Sequence, residues 1–394
     1  MKLKILFILL PFLSLSWGVA AQATPAEAMP TAENTSVETS QAAASEAEAA
    51  AAEGTEAFNP GSMIIGHVTD AHSWHMFDFV GKDGREHVVG VNLPIILVND
   101  GHLVMFSSRR FEHGHADYRG FRLVGGGAEK EEIVCVDDAG QVVVGSDGKV
   151  KKPVDLSLTK TSAAILIAVA LLIVLVLSAA RQARRRGTAA PRGLQSLVEI
   201  LVLHVRNDIV APMLGGKTDK YLPYLLTLFF FILFCNVLGL IPFFPAGANI
   251  TGNIAVTAIL AVITFLITNL SGNRHYWKDI FNTPGVPAWL KVFPLMPVVE
   301  LLGVFTKPLV LMIRLFANMT AGHIVILGFV SVIFILGQTY GVVAGGAMSV
   351  FSVLFSVFIS VLECLVAYLQ AFVFTMLSAL YIGMAIEEPE GETA

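Results

Sequence analysis

Charge is scarce in this chain of 394 residues: only 14% of them are Asp, Glu, Lys or Arg, whereas 55% are hydrophobic. Soluble domains carry about 25% charged residues, so this composition argues against a cytosolic globular enzyme. It favours a protein whose chain crosses a membrane several times. No basic patch occurs outside the edges of the apolar segments, which argues against nucleic-acid binding.

Cysteine is also rare, with single residues at Cys135, Cys235 and Cys364. Their wide spacing contains no CxxC pair and so excludes a zinc ribbon or a thioredoxin-like site. Cys235 and Cys364 lie in apolar runs, where we expect small buried hydrophobic side chains. Cys135 is alone in the hydrophilic part of the chain, so that part has no internal disulfide.

The few charges that exist are unevenly distributed along the chain. Residues 24–160 carry 11 Lys and Arg against 21 Asp and Glu, a net charge of −10. Residues 161–394 carry 13 against 10, a net charge of +3. The sequence thus predicts an acidic part in water, followed by an apolar and mildly basic part in a membrane.

The N-terminus has the pattern of an export signal. Residues 1–23 combine Lys2 and Lys4, an apolar run and the small-x-small sequence of residues 21–23, which predicts a cleavable signal peptide and bacterial export. An uncleaved anchor helix is the alternative. Residues 24–57 are mostly Ala, Glu, Ser and Thr and predict a disordered linker, because they offer too few apolar side chains to form a core.

Residues 58–155 predict a small β-rich domain on the periplasmic side. Residues 94–98 and 102–106 flank Asn-Asp-Gly, and residues 133–136 and 141–144 flank Asp-Asp-Ala-Gly. Short apolar runs around such turn sequences are typical of hairpins.

Seven of the ten histidines fall in this domain. A weak candidate set of metal ligands is His67, Asp70, His72 and His75, because imidazole and carboxylate suit zinc and similar ions. The spacing matches no strict metal motif, and surface or interface histidines are the simpler interpretation. We therefore predict no metal site.

Three apolar segments predict the first membrane spans, at residues 161–180, 221–244 and 250–270. The first has 20 uncharged residues, or ~30 Å of helix, which matches one hydrocarbon core. Five arginines follow it directly, so its C-terminal end is predicted to be cytoplasmic. The amphipathic residues 194–210 predict a helix along the cytoplasmic membrane surface.

The last two apolar segments, 298–336 and 348–386, are each 39 residues long. Such helices measure ~58 Å, against ~30 Å of hydrocarbon. Each helix is therefore either broken or tilted by roughly 60°, and a glycine-rich turn at 337–346 connects the two on the outer side. The predicted fold is an all-α polytopic membrane domain (156–394) with five membrane-crossing helices, the last two long and tilted, plus a cytoplasmic surface helix. The small exported β-rich domain precedes it.

Ionisable side chains inside these two long segments are the candidate functional residues. Each costs a few kcal/mol in a bilayer, and the set is Glu300, Lys307, Arg314, His323 and Glu363, with the polar Asn318 and Gln370 beside them. Pairing among themselves to orient the helices is one interpretation, and an ion path is the better one. His323 and Glu363 lie 18 and 22 residues from Gly341 on opposite arms, so we expect them at similar depth.

The run from Arg314 to His323 reads R-L-F-A-N-M-T-A-G-H. It strongly resembles the arginine-bearing helix of subunit a of the F-type ATP synthase, whose core is R-L-F-x-N-M-x-A-G followed by His or Glu. The L-Q-A-F-V-F run at 369–374 with Tyr381 is similar to the terminal pattern of that family, and other matches are Glu300, Lys307-Pro308 and Asn236 with 238–242. The resemblance covers about residues 156–388. Two departures are Gly239, where many members have an acid, and the long exported domain.

This resemblance implies a stator beside a rotating ring of c subunits, together with the b subunits of a peripheral stalk and the rest of the ATP synthase in a bacterial inner membrane. Two half-channels would carry protons to and from the ring carboxylates. Arg314 would separate them, because its guanidinium keeps its charge, pairs with a ring carboxylate and blocks a direct leak. Asn318, His323, Glu363 and Gln370 would serve proton translocation, with Glu300, Lys307, Asn236 and Tyr381 as supporting residues. The subunit itself would be non-catalytic and need no cofactor. The ring's ligands largely decide between H⁺ and Na⁺.

Three other functions remain open from the residues alone. A secondary transporter is expected to show internal repeats or paired broken helices, and the sequence shows neither. A membrane-anchored metal-binding receptor would place its function in the histidine-rich domain, and an ion-channel scaffold would not associate with a ring.

Overall fold

The computed structural model describes residues 60–80, 86–114, 116–126, 129–137, 139–145, 148–187, 189–241, 246–281 and 295–387. The predicted signal peptide (1–23) and linker (24–57) lie outside these residues.

The front domain, which we define as residues 60–158, begins with a helix that the sequence did not predict. This helix, α1 (Pro60–Val68), precedes the strands β1 (Ser73–Val80), β2 (Glu86–Asn92), β3 (Pro94–Asn99), β4 (His102–Ser107), β5 (Phe121–Gly126), β6 (Glu129–Cys135) and β7 (Val154–Asp155). The strands form three small antiparallel sheets: β1 with β2, β4 with β3 and β7, and β5 with β6.

One predicted hairpin is confirmed in full, and the other is present as a short antiparallel contact, in which the Asp137 amide donates to the Gln141 carbonyl at 2.9 Å and the Val143 amide donates to the Cys135 carbonyl at 2.9 Å. β3 and β4 pair through Asp100 and Gly101, whose φ angles of 50° and 82° suit a tight two-residue turn. Residues 133–135 form the end of β6, whose main partner is β5, and the contact with residues 141–144 is limited to one bridge, between Val136 and Val142. Pairing with β5 places Ile133 against the buried core of the domain, which explains the difference.

The front domain is packed against the membrane helices rather than held apart from them. Its own small core consists of Ile95, Leu97, Phe111, Phe121, Ile133 and Cys135. Trp74 and Leu93 belong instead to the large buried cluster that includes Ala163 and Val169 of the first membrane helix. The two parts therefore share one hydrophobic core.

The first membrane helix, α2 (Lys160–Arg186), contains the predicted span 161–180. The hydroxyl of Thr159 accepts a hydrogen bond from the Ser162 amide at 3.3 Å and caps the N-terminus. Three arginines lie in the last turn, and Gly187, with φ of 57°, ends the helix.

The predicted surface helix at 194–210 is only partly α-helical. α3 (Leu194–His204) continues into a π-helical turn at Val205–Val210, the short α4 (Ala211–Leu214) and then α5 (Thr218–Leu240). One side of α3 exposes an apolar stripe made of Leu194, Leu197, Ile200 and Leu203. This stripe agrees with a helix that lies against lipid.

α6 (Ile254–Ser271) follows and is shorter than the predicted span 250–270, because the Asn253 side chain caps it by accepting from the Ala255 amide at 3.0 Å. The short α7 (Arg274–Phe281) comes next.

The two long helices, α8 (Leu295–Tyr340) and α9 (Val342–Ile386), form an antiparallel hairpin. Their 46 and 45 residues correspond to ~69 Å and ~68 Å. Both continue without interruption, even past Pro308 in α8, so of the two alternatives the broken helix is wrong and the long continuous helix is confirmed.

The predicted turn at 337–346 is also wrong in extent, since Gly341 alone reverses the chain, with φ of 86°. The flanking glycines serve a close approach of the two arms instead. A Cβ atom on Gly345 would lie 2.8 Å from the Cα atom of Gly337.

Five helical segments are long and apolar enough to cross a membrane: α2, α3 to α5 taken together, α6, α8 and α9. The chain is therefore a mostly helical, polytopic membrane protein with a small strand-containing region before its first span. Cys235 is buried in α5 as expected, but Cys364 is exposed on α9, so its prediction as a buried residue is wrong.

Candidate functional site

The family-like run of α8 from Arg314 to His323 and the turn before it place their residues on two sides of one helix. Leu311, Leu315 and Met319 are each 2% exposed or less and pack inward. Arg314 and Asn318, one turn apart, are both exposed on the opposite side. A guanidinium thus stands on an otherwise apolar outer surface, which includes Val310 at 53% exposure.

Gln370 fixes the position of this turn relative to α9. Its side-chain amide donates a hydrogen bond to the Arg314 carbonyl oxygen at 2.7 Å, and Gln370 is itself buried. A carbonyl inside a helix accepts this additional bond, so the Arg314 backbone is tied to the neighbouring helix while its side chain stays free to face outward.

His323 and Glu363 meet between the two long helices. The His323 Nδ1 atom lies 3.8 Å from Glu363 Oε1, which confirms the contact expected from their distances to the turn. Glu363 is only 7% exposed, and neither of its carboxylate oxygens has a hydrogen-bond partner among the described residues. A buried carboxylate beside an imidazole is suited to exchange a proton with it.

The other contacts of His323 are to backbone carbonyls. Nδ1 lies 3.0 Å from the Met319 oxygen, and Nε2 lies 3.3 Å from the Gly239 oxygen. An imidazole can donate to both only when it carries two ring protons. The site therefore offers the protonated ring two acceptors as well as a carboxylate.

Gly322 makes room for this pair. A Cβ atom at that position would lie 1.8 Å from Glu363 Oε1 and 2.7 Å from its carboxyl carbon. Gly322 belongs to the family-like motif, but no local pattern predicts this role, because it depends on a contact with another helix.

Asn236 is fully buried and connects three segments. Its amide donates to the Ala367 carbonyl at 3.2 Å, and its oxygen accepts from the Thr251 hydroxyl at 2.7 Å. It therefore joins α5, α9 and the turn before α6. Gly239, one turn later, presents its carbonyl to His323, so the position without the family's acid still adjoins the ionisable pair.

Lys307 and Tyr381 lie near the other end of the hairpin. The Lys307 ammonium is 5.4 Å from the centroid of the Tyr381 ring, a cation–π distance. Both line a small cleft with Thr268, Asn269 and Tyr276 of the α6–α7 region. Glu300, two turns earlier on α8, is half-buried.

The weak metal candidates of the front domain do not form a ligand set within the described residues. His72 Nε2 lies 2.8 Å from Asp155, and Nδ1 lies 3.3 Å from Glu131. Burial opposes a charge on His72, but the hydrogen bonds and charges of these two carboxylates outweigh it and raise its pKa to about 9. A protonated ring donates from both nitrogens and cannot bind a metal.

Asp70 also has a structural contact, since its carboxylate accepts from the Thr161 amide at 2.9 Å. The His67 carbonyl accepts from Lys160 at 3.1 Å, and the side chain of His75 lies outside the described residues.

The helical bundle, the exposed arginine and the buried histidine–glutamate pair together define a polytopic membrane protein with an ionisable pair between two long helices. A family model for the ATP synthase A chain matches residues 162–383, more than half of the chain, so the protein belongs to that family. A second model, a domain of unknown function (DUF8433), matches residues 63–156.

Curated relatives agree with this family. The chain is 46% identical over 238 residues to an ATP synthase subunit a 2 of Chlorobaculum tepidum, covering 59% of this chain and 64% of that protein. It is 42% identical over 247 residues to an ATP synthase subunit a of Chloroherpeton thalassium, covering 61% and 70%. It is 43% identical over 239 residues to an ATP synthase subunit a of Myxococcus xanthus, covering 59% of this chain and 74% of that protein. The match thus spans somewhat less than two thirds of the first of these relatives.

Proposed function

We propose that this chain is the non-catalytic, proton-conducting stator subunit of an F-type ATP synthase. It exchanges protons with carboxylates on a ring of c subunits and so couples proton flow to rotation and ATP synthesis. The observation that carries this proposal is the arrangement of α8. Arg314 faces outward on an apolar surface, and the buried His323–Glu363 pair lies behind it, nine residues further along the helix.

The exposed side of α8 and α9 suits contact with another membrane protein. Arg314 and Asn318 share it with large apolar side chains, and α9 adds Val357, Val361 and Leu365, each more than half exposed. A charge that faced lipid there would cost several kcal/mol. A ring carboxylate that passes Arg314 would pair with it and release its proton, and the permanent guanidinium charge would prevent a direct leak.

The His323–Glu363 pair would deliver or receive the proton on the outer side. It lies between Arg314 and the turn at Gly341, and its carboxylate has no competing hydrogen bond among the described residues. Gln370 would hold the Arg314 turn in place through its carbonyl, and Asn318 would line the ring-facing side.

The residues near the start of α8 would support the opposite half-channel. Lys307 and Tyr381 contact each other beside a cleft that is also lined by Tyr276 of α7. Glu300 lies seven residues before Lys307, on the same side of α8. Asn236 joins α5 to α9 further along the bundle.

The proposed orientation puts the front domain in the periplasm and the C-terminus in the cytoplasm of a bacterial inner membrane. The arginines after α2 and the basic residues of α7 support it, since positive residues collect on the cytoplasmic side. The b subunits and the remaining ATP synthase subunits are the further proposed partners.

The test is a substitution of Arg314 in the assembled complex. Arg314→Ala and Arg314→Gln should abolish ATP-driven proton pumping into inverted vesicles while the complex still assembles. Arg314→Lys should fail as well, because lysine lacks the planar fork and loses its proton more readily when desolvated. Arg184→Ala, at an exposed position in the last turn of α2, is the matched control and should pump normally. Normal pumping by Arg314→Ala would refute the proposal.

A further inference from the structure

Arginine is concentrated in one segment of the front domain. Four of the five arginines within residues 60–158 fall between positions 109 and 122, where they outnumber two acidic residues. The rest of the domain carries six Lys and Arg against twelve Asp and Glu. An otherwise acidic domain therefore has one segment of opposite charge.

Three exposed arginines of this segment form a surface that we name the arginine patch, made of Arg109, Arg110 and Arg119. None of the three has an ion pair with another residue that the structure describes. Arg122, in contrast, is neutralised by Asp117, whose carboxylate accepts from Nε at 2.6 Å and from Nη2 at 2.5 Å. The patch therefore keeps its positive charge available for an anionic ligand.

Tyr118 holds two members of the patch close together. The guanidinium carbons of Arg110 and Arg119 lie 5.5 and 5.4 Å from the centroid of its ring, both of which are cation–π distances. The ring itself packs on Phe106, with 5.0 Å between the two centroids, and Phe106 packs against the core of the front domain. The two guanidinium groups are thus positioned by an aromatic side chain that the core fixes in place.

Arg119 occupies a turn position that its own residue type does not favour. The backbones of Tyr118 and Phe121 form two hydrogen bonds of 2.9 and 3.1 Å, and the two residues between them, Arg119 and Gly120, have φ angles of 52° and 78°. A two-residue turn with two positive φ angles prefers Asn-Gly, because a left-handed backbone is unfavourable for a long side chain. The turn does not account for an arginine here, whereas a role for its charge does.

The strand that leads into the patch ends close to the membrane. β4 ends at Ser107, which pairs with Pro94, and the Pro94 carbonyl accepts from the Leu158 amide at 3.1 Å. Leu158 lies two residues before α2 begins, and two extended residues span ~7 Å. A headgroup layer is about 5–7 Å thick on each side of the hydrocarbon. The end of β4 therefore lies at the depth of the lipid headgroups.

The first residue after β4 is tied to the membrane part as well. The Ser108 amide donates to the Leu93 carbonyl at 2.9 Å, and the Leu93 amide donates to the Ser108 hydroxyl at 3.1 Å. Leu93 belongs to the large core that the front domain shares with α2. Arg109 and Arg110 follow directly, so the patch lies beside the first span rather than at the distant end of the domain.

We infer that the arginine patch binds the phosphate groups of anionic phospholipids at the membrane surface, and so seats the front domain on the headgroups beside α2. A guanidinium group offers a planar fork of donors that matches phosphate oxygens. A tyrosine at the same depth suits the boundary between lipid and water. Lipid binding here is independent of the proton path between α8 and α9.

The experiment places the complete membrane sector in nanodiscs of phosphatidylcholine that contain a small fraction of a photoreactive phosphatidylglycerol. The photoreactive group is attached next to the headgroup, and mass spectrometry after illumination measures the yield of cross-links to residues 105–123. Photoreactive phosphatidylcholine of the same design is the reference lipid. Phosphatidylglycerol should give the higher yield, and added salt should lower it.

Two variants remove charge from the patch. Each basic residue near an anionic surface strengthens binding about fivefold, or about 1 kcal/mol. Arg119→Asn suits the turn and so preserves the fold, and it should lower the yield about fivefold. The triple variant Arg109→Gln, Arg110→Gln and Arg119→Asn should lower the yield more than twentyfold if the three contributions are independent.

The matched control removes three charges from another part of the same domain, in the triple variant Lys149→Gln, Lys151→Gln and Lys152→Gln. Lys151 pairs with Asp100 at 2.8 Å, and Asp100 lies in the β3–β4 turn, at the opposite end of that hairpin from Ser107. This variant should give the wild-type yield.

A yield that falls in both arginine variants and stays constant in the lysine control supports the lipid site. Equal yields with the two photoreactive lipids, or an unchanged yield in the triple arginine variant, overturn it. Absence of cross-links to residues 105–123 also overturns it, because the patch would then face water or a partner protein. Displacement of the photoreactive lipid by an excess of inorganic phosphate would assign the patch to free phosphate and overturn the lipid assignment.

Discussion

Gly322→Ala should disconnect the ionisable pair while leaving the helix intact. The new methyl group would lie 1.8 Å from Glu363 Oε1, 2.7 Å from its carboxyl carbon and 3.0 Å from Cγ. Ordinary contact needs about 3.4 Å or more, so the carboxyl group must move by roughly 1.5 Å. Glu363 is packed between α8 and α9, and its flexible side chain is the part that can give way.

The size of the effect of Gly322→Ala on proton conduction depends on two opposing contributions. Alanine is the better helix former by about 1 kcal/mol, so the substitution should not weaken α8 itself. Overpacking costs about 1–3 kcal/mol, and a displaced Glu363 would no longer stand 3.8 Å from His323. Proton conduction should fall about tenfold or more, which corresponds to a rise of about 1.4 kcal/mol or more in the activation free energy of proton transfer once the pair is separated.

The assay compares passive proton conduction and ATP-driven pumping of Gly322→Ala with those of Gly328→Ala. Gly328 lies on the same helix, and a Cβ atom there would meet nothing within 4 Å, so this variant should conduct normally. Combining Gly322→Ala with Glu363→Asp shortens the side chain and should restore part of the flux. Equal conduction by the two alanine variants would refute the reasoning.

Three further predictions concern the pair, the core and the front domain. His323→Ala or Glu363→Ala should slow proton flux severely, but less completely than loss of Arg314. The double variant His323→Glu with Glu363→His should recover part of the flux. Wild-type pumping by both single variants would show that the pair is not on the proton path. Asn236→Ala should lower the stability of the purified subunit by about 1–3 kcal/mol, because buried partners lose their hydrogen bonds, and thermal unfolding in detergent measures this. The two carboxylate partners of His72 raise its pKa from 6.5 to about 9, so its contribution to stability is complete below pH 6.5 and is lost as the pH rises through about 9. Limited proteolysis of the front domain should therefore accelerate between pH 8 and 10. A constant rate of proteolysis would contradict this.

The membrane site could be located from the sequence but not assembled from it. Ionisable residues inside apolar runs are conspicuous, and similar distances from a turn placed His323 and Glu363 at similar depth. The carbonyl contact between His323 and Gly239 and the space at Gly322 gave no local signal. Each depends on a residue more than 30 positions away in the chain.

Contacts between distant parts of the chain also explain where the predictions for the front domain and for the turn between α8 and α9 differ from the structure. Residues 133–135 have the pattern of a strand, but their longer ladder is with β5, where Phe121 and Ile133 share a buried core, and the contact with residues 141–144 stays short. The glycines at 337–346 look like a turn, yet Gly337 and Gly345 stay helical because they let two helices touch. Glycine favours both outcomes, and only the neighbouring helix decides between them.

The sequence by itself determined the class of protein, the number of long apolar helices and the family-like motif around Arg314, because hydropathy and motif spacing repeat along a single segment. The tertiary structure decided which side chains meet. A shift of one residue rotates a helical side chain by about 100°, so contacts such as His323 with Glu363 and Lys160 with the front domain depend on how separate segments are rotated against each other. That relation is fixed by packing among distant parts of the chain, which no local pattern encodes.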